Sequence, residues 1–271
     1  MAYRALLFDL DGTLLNTLED LANACNRVLA AMGHKTHAVP EYRFLVGSGV
    51  RILVERMLPA PLGREVETVE TALAAFREEY ARCWHEHSRP YPGIADLLDD
   101  LVQRGLELAV LSNKPQHFTE LCVQTLLPSW PFRSVLGQRE GVPKKPDPAG
   151  ALETARLLGL APAEMLYVGD SDVDMLTAKH AGMSAVGVLW GFRGADELRA
   201  AGADVLAEQA ALVLDLSGEK NVRLGCLAMG LSRTETKAVL PDIVELAEIG
   251  KSIYRPMKTY SSGIASHLHS Q

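Results

Sequence analysis

Cysteine is scarce and scattered: the 271-residue chain carries four, Cys25, Cys83, Cys122 and Cys226, with no CxxC pair and no Cys/His cluster. That excludes a zinc-finger type of site and a disulfide framework, and leaves reduced, mostly buried thiols. Also missing is any uninterrupted apolar run of the ~18 residues a membrane span needs. The opening segment, Met1 to Phe8, meets Asp9 too early for a signal peptide. A cytoplasmic protein without a membrane partner is expected. Basic charge is short as well, with 27 Lys+Arg against 34 Asp+Glu and a net charge of −7. There is no electrostatic footprint for nucleic acid, although a local basic pocket for a small anion stays open. With 48% apolar and 23% charged residues, a disordered chain, a collagen-like fibre and a coiled coil are set aside.

What is present is alternation. Ala5 to Leu10 is a short apolar run ending in acids and Gly12, the pattern of a buried strand that delivers side chains to a sheet end. From Thr17 to Met32, apolar residues recur at helical spacing and Gly33 closes the run; Tyr42–Leu58 and Glu65–His87 read as two further helices, until Pro90, Pro92 and Gly93 break the pattern. After that come a helix over Ile94–Arg104, a strand over Leu106–Leu111, a helix past Gln116, a helix over Pro148–Leu158, a strand over Met165–Val168, a helix over Asp172–Ala181 and a strand over Ser184–Leu189. This βαβ punctuation predicts an α/β fold, a doubly wound parallel sheet with a Rossmann-like core and an inserted all-helical cap. Residues 1–16 and 91–216 are assigned to the core, 17–90 to the cap. A last core helix is predicted over Gln209–Leu216. Residues 217–271, where basic residues outnumber acidic ones, form a C-terminal extension of unknown role, with a helix predicted over Glu235–Ile249.

In such sheets ligands bind beyond the carboxyl ends of the strands, where four chemical segments fall. Asp9 and Asp11, two apart in Asp9-Leu10-Asp11-Gly12-Thr13, repel when ionised; keeping both charged calls for a cation, and hard oxygen ligands suit Mg²⁺. One of them is then available as a nucleophile. Asp-Gly is equally a common turn former. Ser112-Asn113-Lys114 sets a hydroxyl, an amide and an ammonium after a strand, suited to an anion's oxygens or to a helix N-cap. Lys144-Lys145-Pro146-Asp147-Pro148 could fix a lysine in an anionic site, or be a solvated basic loop. Gly169-Asp170-Ser171-Asp172-Val173-Asp174 gathers acids at a helix start, where they also complement its dipole.

Taken together these segments resemble the haloacid dehalogenase-like superfamily of aspartyl phosphotransferases, in order, spacing and strand-end placement, over roughly residues 3–216. The resemblance implies that Asp9 attacks phosphorus, that Asp11 protonates the leaving alcohol and then activates water, and that Ser112 and Asn113 hold phosphoryl oxygens. It implies Mg²⁺ bound by Asp9, the backbone carbonyl of Asp11 and Asp170, with Asp174 steadying the shell. Lys145, which directly precedes a proline as the superfamily's lysine does, neutralises the nucleophile, with Lys144 as the second choice. Asp11 argues against the dehalogenase branch, which attacks carbon and has no departing alkoxide to protonate.

The helical insert resembles the cap of the phosphoglycolate phosphatase group. Gly47-Ser48-Gly49 and Arg51 look like its cap loop and following helix, and with Lys114 they imply contacts to a small carboxylate; a tight helix–helix turn is the other reading of the glycines. Trp190-Gly191-Phe192 also looks like that group, or like plain aromatic packing. The resemblance implies hinges at the segments near Asn16, where many relatives carry Asp, and near Tyr91. The expected activity is Mg²⁺-dependent hydrolysis of a small phosphorylated metabolite, foremost 2-phosphoglycolate. Alternatives are a sugar or amino-sugar phosphate substrate, a phosphomutase with the same nucleophile, and a phospho-accepting receiver module, against which the helical insert stands. A monomer and a homodimer are both open.

Overall fold

A computed structural model of the chain describes residues 3–210. Six strands form one parallel sheet in the order β5-β4-β1-β6-β7-β8, with β1 Ala5–Phe8, β4 Glu107–Pro115, β5 Phe132–Gln138, β6 Met165–Gly169, β7 Ser184–Val188 and β8 Val205–Ala207. The central β1 pairs with β4 on one side and β6 on the other. The chain therefore reverses its direction of progress beside β1, and the crevice for a ligand opens beyond these three strand ends.

Period-two alternation sorts the strand side chains into two cores. Leu6, Phe8, Val110, Val168 and Val186 face one apolar cluster, while Ala5, Leu7, Ala109, Met165 and Ala185 face the other. Helices α4 Ile94–Gln103 and α5 Gln116–Leu126 supply the first layer; α6 Ala149–Leu158, α7 Asp172–Ala181 and α8 Ala195–Ala200 supply the second. Because both faces are covered, the strands read as continuous apolar runs.

Between β2, Leu15–Asn16, and β3, Arg89–Pro90, the regular elements are all helical: α1 Leu18–Ala31, α2 Val50–Met57, α3 Val66–Cys83 and short 3-10 turns. β2 and β3 pair antiparallel, Leu15 with Pro90 and Asn16 with Arg89, so the two connections to the helical insert run side by side. Asp20 in α1 secures the second one: its buried carboxylate accepts from His87 N, Ser88 N and Ser88 Oγ at 2.7–3.1 Å.

The sequence-based elements need three corrections. Tyr42–Leu58 is not one helix but a 3-10 turn, Val39–Phe44, and α2. The break is at Gly47 and Gly49, with φ of +112° and +90°, a backbone region that L side chains avoid. Strand β5 was not anticipated, being a half-covered edge strand of alternating polarity that contains Arg133 and Gly137. The chain after Leu189 contains α8 and β8, also unanticipated. The helices expected over Gln209–Leu216 and Glu235–Ile249, and the extension 217–271, lie outside the described residues, save Gln209 and Ala210. No helix among the described residues is long and apolar enough to cross a membrane.

Candidate active site

Strand ends bring the acids together. Asp9 follows β1 directly, Asp170 follows β6, and Asp174 sits in the first turn of α7. One carboxylate oxygen from each lies within 4.8 Å of the others. Into this group reaches Lys145, whose side chain is only 3% exposed: Nζ stands 2.8 Å from Asp9 Oδ1, 2.7 Å from Asp174 Oδ1 and donates to Leu111 O at 3.1 Å. Lys144, by contrast, is exposed and directed toward Gly49.

Each acid is held differently. Asp9 Oδ1 accepts from Leu10 N at 2.7 Å. Asp170 accepts from Thr13 Oγ1 at 3.1 Å and Phe192 N at 2.8 Å, and a side chain at Gly12 (φ +90°) or Gly191 would collide with its carboxylate. Asp174 is fully engaged: it closes a capping box with Ser171 while Lys145 and Tyr167 take its other oxygen. It is therefore a support for the group, with Asp9 and Asp170 the more open oxygen donors.

Charge explains the titration behaviour. Burial, then the neighbouring Asp174, push the Asp9 carboxyl up to about 7 against the pull of Lys145. Burial, Asp174 and Asp9 push Asp170 well above the usual carboxylate range. For Lys145, burial pulls downward, but Asp174 and Asp9 overcome it and hold the ammonium well above its ordinary value. One ammonium thus leaves the carboxylates short of positive charge, and an all-oxygen donor set of this kind fits a hard divalent cation.

Asp11 stands apart from that group. Its carboxylate accepts from Thr17 Oγ1 at 2.7 Å and from the buried Lys114 Nζ at 3.0 and 3.2 Å. Its side chain borders a cavity of about 100 Å³ that also reaches Asp9, Ser112 and Lys114 on the core, and Gly47 and Gly49 on the insert. The Asn113 amide is committed elsewhere: it donates to Gly47 O and Lys145 O, and accepts from Lys145 N. This clamps the Lys145 backbone, while Asn113 itself also lines the cavity beside Ser112.

The cap assignments need correction. Arg51 does not face the cavity; it lies on the side of α2 turned to α3, where Glu70 and Glu55 take its guanidinium. Ser48 likewise does not line it, whereas Arg77 and Tyr80 of α3, neither singled out from the sequence, do. The signal for them was weak, because an aromatic at helical spacing from Phe76 reads as core. The Trp190-Gly191-Phe192 segment does more than pack. Trp190 Nε1 donates to Thr13 O at 2.9 Å, and Arg43 of the insert donates twice to Phe192 O, at 2.9 and 2.7 Å.

A family model for haloacid dehalogenase-like hydrolases matches residues 6–188. The chain belongs to that family. The phosphoglycolate phosphatase of Pseudomonas putida is 35% identical over 215 residues, 78% of this chain and 76% of that protein. The crystal structure of a predicted phosphoglycolate phosphatase from Haemophilus somnus superposes with a TM-score of 0.73 at 27% identity, covering 78% of this chain and 96% of the other. CbbY from Rhodobacter sphaeroides, solved with phosphate and, as a mutant, with xylulose-1,5-bisphosphate, gives TM-scores of 0.61 and 0.64 at 27% identity, covering 77% of this chain and 95% of that one. This member of the family is a phosphoric monoester hydrolase.

Proposed function

We propose that the chain is a Mg²⁺-dependent phosphatase of a small phosphate monoester, foremost 2-phosphoglycolate, and that it works through an aspartyl-phosphate on Asp9. The observation that carries this reading is the placement of one buried ammonium, Lys145 Nζ, between Asp9 and Asp174, while Asp11 is held separately by Lys114 and Thr17. Two carboxylates two residues apart thus have distinct environments, as a nucleophile and an acid/base pair require.

In the first step an Asp9 oxygen forms a bond to phosphorus, the ester P–O bond breaks, and the departing alkoxide takes a proton from Asp11. In the second, Asp11 takes a proton from water as its oxygen bonds phosphorus and the P–O bond to Asp9 breaks, giving inorganic phosphate and the starting carboxylate. Asp9 and Asp170, with the main-chain carbonyl of Asp11, would hold Mg²⁺, and Asp174 would steady that shell. When bound, the ion offsets carboxylate charge and polarises the phosphoryl group. Lys145 neutralises the nucleophile and Ser112 holds a phosphoryl oxygen; this is electrostatic positioning rather than strong acid chemistry. Residues 17–90 act as a cap over a core formed by 1–16 and 91–216, moving on the paired connections at Asn16 and Arg89 and excluding water while substrate is seated.

Phosphate release from a panel of small esters, with Mg²⁺ and with chelator, tests this. Fastest turnover of 2-phosphoglycolate, abolished by chelator, is expected. A sugar phosphate as the best substrate would favour the second reading, which the likeness to CbbY supports; turnover unaffected by chelator would overturn the mechanism.

A further inference from the structure

The cavity beside Asp11 is lined by two polar side chains of α3 that the reaction above does not use. Arg77 lies on α3 among the lining residues, exposed, and it makes no hydrogen bond or ion pair among the described residues. One turn on, Tyr80 is 3% exposed; its hydroxyl is buried with no partner at ordinary hydrogen-bond distance among the described residues, and the Lys114 ammonium lies close enough to act on its oxygen. An ammonium can only donate, so the phenolic O–H still has no acceptor, a penalty that a ligand oxygen can remove. Its position is fixed: the ring stacks on Phe76 at 5.4 Å and meets Phe118 edge-on at 5.1 Å between centroids.

The distance from the reacting end is short. Lys114 Nζ is 3.0 Å from Asp11 Oδ1 and 4.9 Å from the Tyr80 ring centroid, so one ammonium separates the acid from the aromatic wall. Much of the remaining wall is apolar, including Leu21, Val50, Leu53 and Phe118, and offers few groups to match the hydroxyls of a sugar. A guanidinium fork and a phenolic donor are, in contrast, the partners of a carboxylate.

We propose that Arg77 and the Tyr80 hydroxyl form a subsite for the carboxylate of a short phosphorylated acid, with its phosphoryl group at Asp9. This rests on the phosphatase reading for the placement of the phosphoryl group, and it moves the carboxylate contact from Arg51 to the next helix. Arg77 and Tyr80 are thereby specificity residues on the cap, so the site selects for the acid only when cap and core are together.

Binding, not turnover, tests it. Calorimetric titration of the Mg²⁺-loaded full chain with 3-phosphonopropionate and with propylphosphonate compares two non-hydrolysable ligands that differ by a carboxylate. The wild type should prefer the first by about tenfold or more, the worth of a hydrogen-bonded charge. Arg77→Ala should remove most of that preference. Tyr80→Phe, which keeps the stacked ring, should lower it by roughly threefold. Equal binding of both ligands by the wild type, or an intact preference in Arg77→Ala, would overturn the proposal. A protein that shows the preference but does not release phosphate from 2-phosphoglycolate would instead sink the substrate reading alone.

Discussion

Asp9→Asn probes the conflict that defines the site. Asp9 titrates near 7 in the fold against 3.8 for an ordinary aspartate, because burial and Asp174 disfavour its charge. Folding of the metal-free protein therefore takes up a proton between those values. Stability on this account is greatest below about pH 4, falls as pH rises through about 7, and is level above. Keeping the carboxylate ionised at pH 8 costs on the order of 4 kcal/mol at most. An amide removes that cost and its oxygen can still accept from Leu10 N; the pull of Lys145 is already contained in the raised value, and Lys145 keeps Asp174 and Leu111 O, so the gain is bounded by that cost and reduced by whatever the acidic group relaxes in the wild type. A net gain of about 2 kcal/mol would raise the melting temperature by roughly 4–8 °C for a domain of this size. Differential scanning calorimetry in chelator should thus show the variant melting above the wild type at pH 8 and level with it near pH 4.5. Adding Mg²⁺ at pH 8 should raise the wild type more than the variant, while phosphate release by the variant is abolished. If the variant melts lower at every pH, Asp9 is a structural partner of Lys145 and not a strained acid, and the charge-deficit argument fails.

Three further perturbations follow from the same geometry. Asp11→Asn should lower kcat on an alkyl phosphate by about 10²–10⁴, the usual contribution of a general acid/base; unchanged turnover would show that the proton comes from elsewhere. Gly12→Ala forces a side chain into a backbone at φ +90° and against Asp170, so it should cost about 1–3 kcal/mol and raise the Mg²⁺ concentration needed for half-maximal activity. An unchanged metal requirement would mean that Asp170 is not a ligand. Asp20→Ala strands His87 N, Ser88 N and Ser88 Oγ beside the β2–β3 pair. Each buried group left without a partner costs about 1–3 kcal/mol, and a melting temperature that falls by less than a few degrees would show that this connection is held by something else.

The core strands were legible in the sequence because a strand buried on both faces leaves an unbroken apolar run with acids at its tip, as at Ala5–Asp11 and Met165–Asp170. Strand β5 was not, since an edge strand that is half solvated carries mixed polarity. The glycines of the cap loop were visible as a break, but not that they would end one helix and start another.

Chain order alone sets the chemical inventory at each strand end: two acids after β1, a hydroxyl within β4, a lysine before α6 and acids at the start of α7. Those follow from local order, because a strand in a parallel sheet carries its C-terminal residues to the crevice whatever the rest of the chain does. Tertiary structure decided which way side chains point. Lys145 and not Lys144 enters the acidic group, Asn113 turns to the Lys145 backbone, and Arg51 goes to Glu70 while Arg77 is left at the cavity. Neighbouring residues along a loop or helix point in different directions, and only the packing of insert against sheet selects the one that meets the substrate.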